Sequence, residues 1–166
     1  MAAHRSAAPS APPMFYRGDT YAVDNSYGFL LRRVLGSLQR HLDHRLQDRD
    51  LTAMQIGPLV LLAAGKGTTA AQLARCLNID TGAMTRMIDR LQAKGLVRRM
   101  RCPEDRRVVR LALTPAGTAA LDASAEHLAA VLNLHLADFT AAELAQLMHL
   151  LHRLLANGAA ADGVEG

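Results

Sequence analysis

The chain has 166 residues, enough for one domain or for two lobes sharing a core, and half of them are apolar, so a sizeable core can be buried. Aromatics make up only 4% and Trp is absent, which leaves a core of Leu, Ala, Val and Met, as in helical proteins. Two cysteines, Cys76 and Cys102, exclude a disulfide framework and a Cys-x-x-Cys metal knuckle, and no run reaches the roughly 18 uncharged apolar residues of a membrane span.

Met1 to Pro13 is rich in Ala, Ser and Pro, with His4 and Arg5 but no continuous apolar stretch. It is a poor signal peptide, and residues 1–20 read as a flexible arm of a cytoplasmic chain. Asn25 to Gln47 reads as a long helix with Leu31, Val34, Leu35, Leu38, Leu42 and Leu46 on one stripe. Thr52 and Gln55 make a capping box for a helix Ala53 to Ala64, in which Pro58 predicts a kink or a displaced start.

Thr68 to Asn78 reads as a helix of about three turns, with Thr69 and Gln72 as its capping box. A tight turn at Asn78-Ile79-Asp80 follows, and Asp80 or Thr81 caps a second helix, Gly82 to Lys94, that Gly95 stops in a left-handed conformation. Two helices joined this closely form a helix-turn-helix. Leu73, Ala74, Leu77, Ile79, Met84, Met87, Ile88 and Leu91 fall on its inner seam.

After Gly95 the period changes to two. Leu96 to Arg101 and Arg107 to Leu113 read as half-buried strands, joined by Cys102-Pro103-Glu104-Asp105-Arg106 into a hairpin with Arg106 and Arg107 at its tip. A helix-turn-helix followed by a basic hairpin is a winged helix. Past it, Thr114 caps a helix with Pro115 at its first position, running to about His135. Thr140 and Glu143 form a third capping box, for a helix Ala141 to Ala156 that Asn157-Gly158 ends. Residues 158–166 read as a loose tail.

Charge and motif coincide. From Arg75 to Arg110 there are ten Lys/Arg against four Asp/Glu, a net of +6, while the whole chain nets +4. Basic charge gathered on a helix-turn-helix and its hairpin is the electrostatic footprint of phosphate binding, and it points to double-stranded DNA. The helices at both chain ends carry more leucine than a small lobe can hide. Exposed apolar area of that size predicts an isologous homodimer built on the first helix and the last two.

DTGAMTRMIDRLQAKGLVRR followed by PEDRRVVRLALTPAG resembles the MarR (multiple antibiotic resistance regulator) family of bacterial transcription factors. The specific elements are the TRMIDRL…KGLV run and a D-x-R…LTxxG wing, here Asp105, Arg107 and Leu113-Thr114-Pro115-Ala116-Gly117, and the likeness extends over about Ser26 to Leu155. The fold expected is mainly α with a small β wing: a winged helix-turn-helix lobe (51–113) on a helical dimerisation base (21–50 and 114–157). The resemblance implies the same dimer, a repressor acting on a pseudo-palindromic operator, and a response to small aromatic acids or oxidants.

The exposed side of the second helix of the motif should carry Thr81, Gly82, Ala83, Thr85, Arg86, Asp89 and Arg90. Thr81 and Thr85 can bond base edges or phosphates, Ala83 can touch a thymine methyl, and Arg86 is the candidate for bidentate contact with guanine. Arg90 is open between a phosphate contact and an ion pair at i,i+3 or i,i+4 spacing. In the wing, the D-x-R match implies Arg107 in the flanking minor groove with Asp105 holding its guanidinium, which leaves Arg106 for phosphate. Of Arg98, Arg99 and Arg101, not all can face DNA.

An effector site is expected between base and DNA lobe, with lining from His41, His44 and Arg45, from Met54 and Leu59, and from the fifth helix. Some relatives hold aromatic carboxylates at positions matching Thr85 and Arg99. His41/His44 and His149/His152 form i,i+3 pairs, but no Cys or acidic cluster completes a tetrahedral site, so no metal and no cofactor are expected. Cys76 reads as a small core residue, and Cys102 leaves a redox response open. Enzyme signatures are missing: Gly65-Lys66-Gly67-Thr68 lacks the spacing of a phosphate-binding loop. A non-specific architectural DNA binder would share the basic wing.

Overall fold

The computed structural model describes residues 14–101 and 108–162, and it is mainly α with one small sheet. In chain order the elements are α1 (Tyr27–Arg45), α2 (Ala53–Ala63), α3 (Ala70–Leu77), α4 (Thr81–Ala93), β1 (Val97–Arg101), β2 (Val109–Leu113), α5 (Pro115–His135) and α6 (Ala141–Asp162). The described residues up to Ser37 form one compact unit and those from Leu38 onward another.

In the first unit a tyrosine knot precedes α1. The ring of Tyr16 tilts against Tyr21 and Tyr27, at centroid distances of 6.3 and 5.8 Å. Its hydroxyl donates to the Asn25 carbonyl and accepts from the Tyr27 amide, both at 3.2 Å. The segment expected to be a flexible arm through residue 20 is therefore tied down from Tyr16, because aromatic packing and a doubly used hydroxyl hold it. Leu30, Leu31, Val34 and Leu35 of α1 are exposed.

The second unit holds the core. Leu42 and Leu46 from the end of α1 meet Leu51, Ile56 and Leu59, then Leu73 and Ala74, then Met84, Met87, Ile88 and Leu91, with Leu96, Val97, Leu111 and Val131 closing it. Three capping boxes begin helices where the sequence placed them: Thr52 with Gln55, Thr69 with Gln72, and Thr140 with Glu143. The Ala53 amide, left without a partner in its own helix, donates to Asp43 Oδ1 at 2.7 Å, so α1 also caps α2. Pro58 does not displace the start of α2, since the Thr52 cap sets it at Ala53; the ring is buried among the core side chains.

Two expectations are corrected. The last helix does not stop at Asn157-Gly158 but continues to Asp162, so the tail expected at 158–166 is helical over its first five residues. A mid-helix Gly costs only about 1 kcal/mol, and the Ala159-Ala160-Ala161 run after it has the highest intrinsic helix propensity. Cys76 is exposed rather than core, its thiol donating to the Lys66 carbonyl at 3.5 Å.

Candidate nucleic-acid interface

The helix-turn-helix is α3 and α4. Asn78 closes α3 in the left-handed conformation (φ 50°), and Asp80 caps α4 by accepting from the Ala83 amide at 2.9 Å. Leu73 and Ala74 on α3 and Met84, Met87, Ile88 and Leu91 on α4 are buried, with Leu77 and Ile79 packed against them. This is the seam expected from the 3.6 period. With that side buried, Thr81, Gly82, Thr85, Arg86, Asp89 and Arg90 are all exposed and Ala83 is half-buried.

Local chemistry refines what these groups can offer. The Thr85 hydroxyl donates to the Thr81 carbonyl at 2.9 Å, so its proton is spent inside the helix and its oxygen remains an acceptor. At Gly82 a Cβ would stand 3.0 Å from the capping carboxylate oxygen of Asp80 and 3.6 Å from Arg86 Nη1. Glycine there leaves room for the cap and for the Arg86 guanidinium folded back along the helix. Arg86 and Arg90 form no ion pair with another described residue.

The wing is the antiparallel pair β1–β2, with Val97 opposite Leu113, Arg99 opposite Leu111 and Arg101 opposite Val109. Side chains alternate between faces, so Arg99 shares the face of the buried Val97 and Leu111, while Arg98 lies on the other. Arg99 accordingly reaches α4: Nη2 lies 2.6 Å from Asp89 Oδ1 and Nη1 donates to Gln92 Oε1 at 2.8 Å. Its guanidinium is already taken, so a carboxylate ligand would have to compete with Asp89 for it. The hairpin tip, with Cys102, Asp105, Arg106 and Arg107, lies outside the described residues.

Three features hold α4 from behind; the Gly95 stop and the Thr114 cap were legible in the sequence, but the distant partners of Lys94 and Thr114 were not. Lys94 at its C-cap bonds the Asp50 carbonyl, sits 3.1 Å from the Asp50 carboxylate and reaches Gln55 Oε1 at 3.4 Å. Gly95 takes φ 70°, the left-handed stop. The Thr114 hydroxyl then donates to the Gly95 carbonyl at 2.6 Å and accepts from the Gly117 amide at 3.0 Å, while the Thr114 amide donates to the Leu96 carbonyl at 3.1 Å. A Cβ on Gly117 would lie 2.0 Å from that same Leu96 oxygen. The L-T-x-x-G run is thus the joint where α5 meets the end of α4. Only glycine fits its last position.

The expected effector lining comes together only in part. His41 meets the ring of His135 edge-on at 5.2 Å, and His135 Nδ1 bonds the Val131 carbonyl at 2.8 Å. His44, Arg45 and Met54 are exposed, but Leu59 is fully buried in the core and cannot line a site. His135 was not singled out in the sequence, because a lone histidine on a long helix carries no spacing signal. Among the described residues no cluster of three or more His, Cys, Asp or Glu is placed to hold a metal, and no helix is long and apolar enough to cross a membrane.

Comparison with known proteins agrees with this architecture. A family model described as the MarR family matches residues 51–109. The multiple antibiotic resistance protein MarR of Salmonella typhimurium is 35% identical over 129 residues, covering 77% of this chain and 90% of the relative. The HTH-type transcriptional repressor NicR of Pseudomonas putida is 29% identical over 150 residues, 89% of this chain and 92% of its own length. Among solved structures, a mutant MarR from E. coli complexed with operator DNA superposes with a TM-score of 0.70 at 33% identity, covering 77% of this chain and 92% of that one. These relatives are regulators rather than enzymes, and the chain belongs to the MarR family of transcriptional regulators.

Proposed function

We propose that two copies of this chain form a cytoplasmic repressor that binds a pseudo-palindromic operator and is released by a small phenolic or aromatic-acid effector. One observation carries the DNA reading: α4 buries one complete side against α3 and leaves the opposite side, with Thr81, Thr85, Arg86 and Arg90, exposed within a segment of net charge +6. In the proposed complex each α4 enters a major groove at half-sites about 34–36 Å apart, and Arg86 contacts guanine. Arg107, held by Asp105, enters the flanking minor groove and Arg106 meets phosphate. Operator DNA in the complex of the E. coli relative supports DNA as the partner.

The dimer is supported by unpartnered apolar side chains. Leu30, Leu31, Val34 and Leu35 of α1, Leu132 and Leu134 of α5, and Met148, Leu150, Leu154 and Leu155 of α6 are all more than two-fifths exposed, a burden that soluble monomers rarely carry. The effector would bias the separation of the two reading helices, lowering DNA affinity by its differential affinity for the two conformers. Exposed His41, His44 and Arg45 at the end of α1 are the residues proposed to receive its carboxylate.

Footprinting over the chain's own upstream region, with competitor DNA at stated salt, tests the reading. A discrete inverted-repeat footprint supports it, and uniform coating would make the protein an architectural binder instead. Release of that footprint by a phenolic-acid panel tests the effector.

A further inference from the structure

Asp89 poses a problem for a DNA-reading helix. It is an acid whose side chain is 55% exposed, on the same helix side as Arg86 and Arg90, where phosphates would approach. Left alone it would repel the duplex. The structure does not leave it alone: Arg99, carried by β1, crosses to α4 and binds Asp89 with one amino group and Gln92 with the other.

Asp89 and Gln92 are three residues apart and so project from one side of α4. A planar guanidinium with its two amino groups on two separate helix side chains restrains both slide and rotation of the helix against the strand. We propose that Arg99 is a positioning residue for DNA binding: it neutralises Asp89 and clamps the recognition helix to the wing strand, so that α4 and the wing meet DNA at a set angle. The pair is an exposed one, and exposed pairs add little to folding stability. Its consequence therefore falls on the relative placement of two DNA-contacting elements, far more than on whether the chain folds.

This role rests on the operator-binding reading above, and it makes a prediction opposite in sign to plain charge counting. Removing an acid from a DNA-facing surface ordinarily tightens binding. Here Asp89→Asn frees Arg99 from its anchor and weakens operator binding roughly three- to tenfold, the range of a broken pairwise coupling. Arg99→Gln weakens it at least as much, since it also leaves Asp89 bare, and the double variant is no worse than Arg99→Gln alone. Gln92→Ala, which cuts the second arm of the clamp without changing any charge, weakens binding in the same direction.

The test is a titration of parent, single and double variants against the footprinted duplex at several salt concentrations, with thermal melting of each protein. Positioning predicts melting within a few degrees of the parent and an unchanged slope of log K against log salt. Binding by Asp89→Asn equal to or tighter than the parent overturns the clamp. So does an Arg99→Gln slope reduced by about 0.9, which marks a lost phosphate contact. Loss of binding that tracks a large drop in melting temperature overturns it in favour of a merely structural pair. If the parent itself protects no specific duplex, the regulator reading fails first and the positioning role with it; normal parent binding with additive variants sinks the positioning role alone.

Discussion

Helices α4 and α6 are both amphipathic, yet they end in opposite states. In the 13 residues of α4, Met84, Met87, Ile88 and Leu91 are buried and the ends are held by Asp80, Lys94 and the Thr114 hydroxyl. Along α6 none of the described side chains is buried, and Leu155 is 72% exposed. The first of these, α4, buries its large apolar side chains within one chain and leaves mostly polar groups exposed. The second is leucine-rich and incomplete by itself. In the proposed assembly α4 is already rigid before it meets DNA, whereas α6 would gain its core only from a second copy of the chain.

The comparison can be broken hardest at the joint behind α4. Gly117→Ala forces a Cβ onto the Leu96 carbonyl and should cost about 4 kcal/mol or prevent folding, in the class of exceptional single-site losses; chemical denaturation measures it. A normal unfolding midpoint would mean that α5 and β1 can separate freely. On the other side, Leu150→Lys with Leu154→Lys should leave α4 intact and dissociate the proposed dimer, at about 1.5–3 kcal/mol for each leucine side chain denied burial. Light scattering at micromolar concentration reads the mass, and an unchanged dimer would place the interface elsewhere.

Smaller changes sharpen the contrast. Arg107→Ala should lower operator affinity by an order of magnitude, about 1.4 kcal/mol, without altering the oligomer or the melting temperature. Wild-type affinity in a mobility-shift titration would refute its groove role. Lys94→Met should cost about 1 kcal/mol by releasing the end of α4 from Asp50 and Gln55, seen as a lower denaturation midpoint.

The least effect concerns pH. The Thr140 amide, and then its hydroxyl, hold the Glu143 carboxyl below its ordinary value. A depressed folded-state value means that the cap contributes fully above the ordinary carboxylate range and is lost as pH falls through the lowered value. Fraying at the start of α6 on acidification, followed by amide exchange of Ala142 and Glu143, should vanish in Glu143→Gln. Fraying that persists there would assign the pH response to another group.

Much of this molecule was written locally. Capping boxes at Thr52, Thr69 and Thr140, the Asp80 cap, the Gly95 stop and the buried seam of α3 and α4 depend on residues within a few positions of one another, so spacing alone reveals them. For the same reason the exposed side of α4 could be named residue by residue, apart from the half-buried Ala83. Errors arose where a local signal was weak, as at Asn157-Gly158, where three alanines outweigh a glycine, and at Cys76, read as a core residue from its small apolar side chain but exposed in the fold.

Long-range partners had no such signature. Nothing in the sequence pairs Arg99 with Asp89 and Gln92, Lys94 with Asp50, or His41 with His135, because each contact depends on how distant backbone segments approach. The sequence by itself determined where α4 starts and which side it shows. Only the tertiary structure decided how that helix is held, since periodicity orders one element at a time and positioning is a property of two.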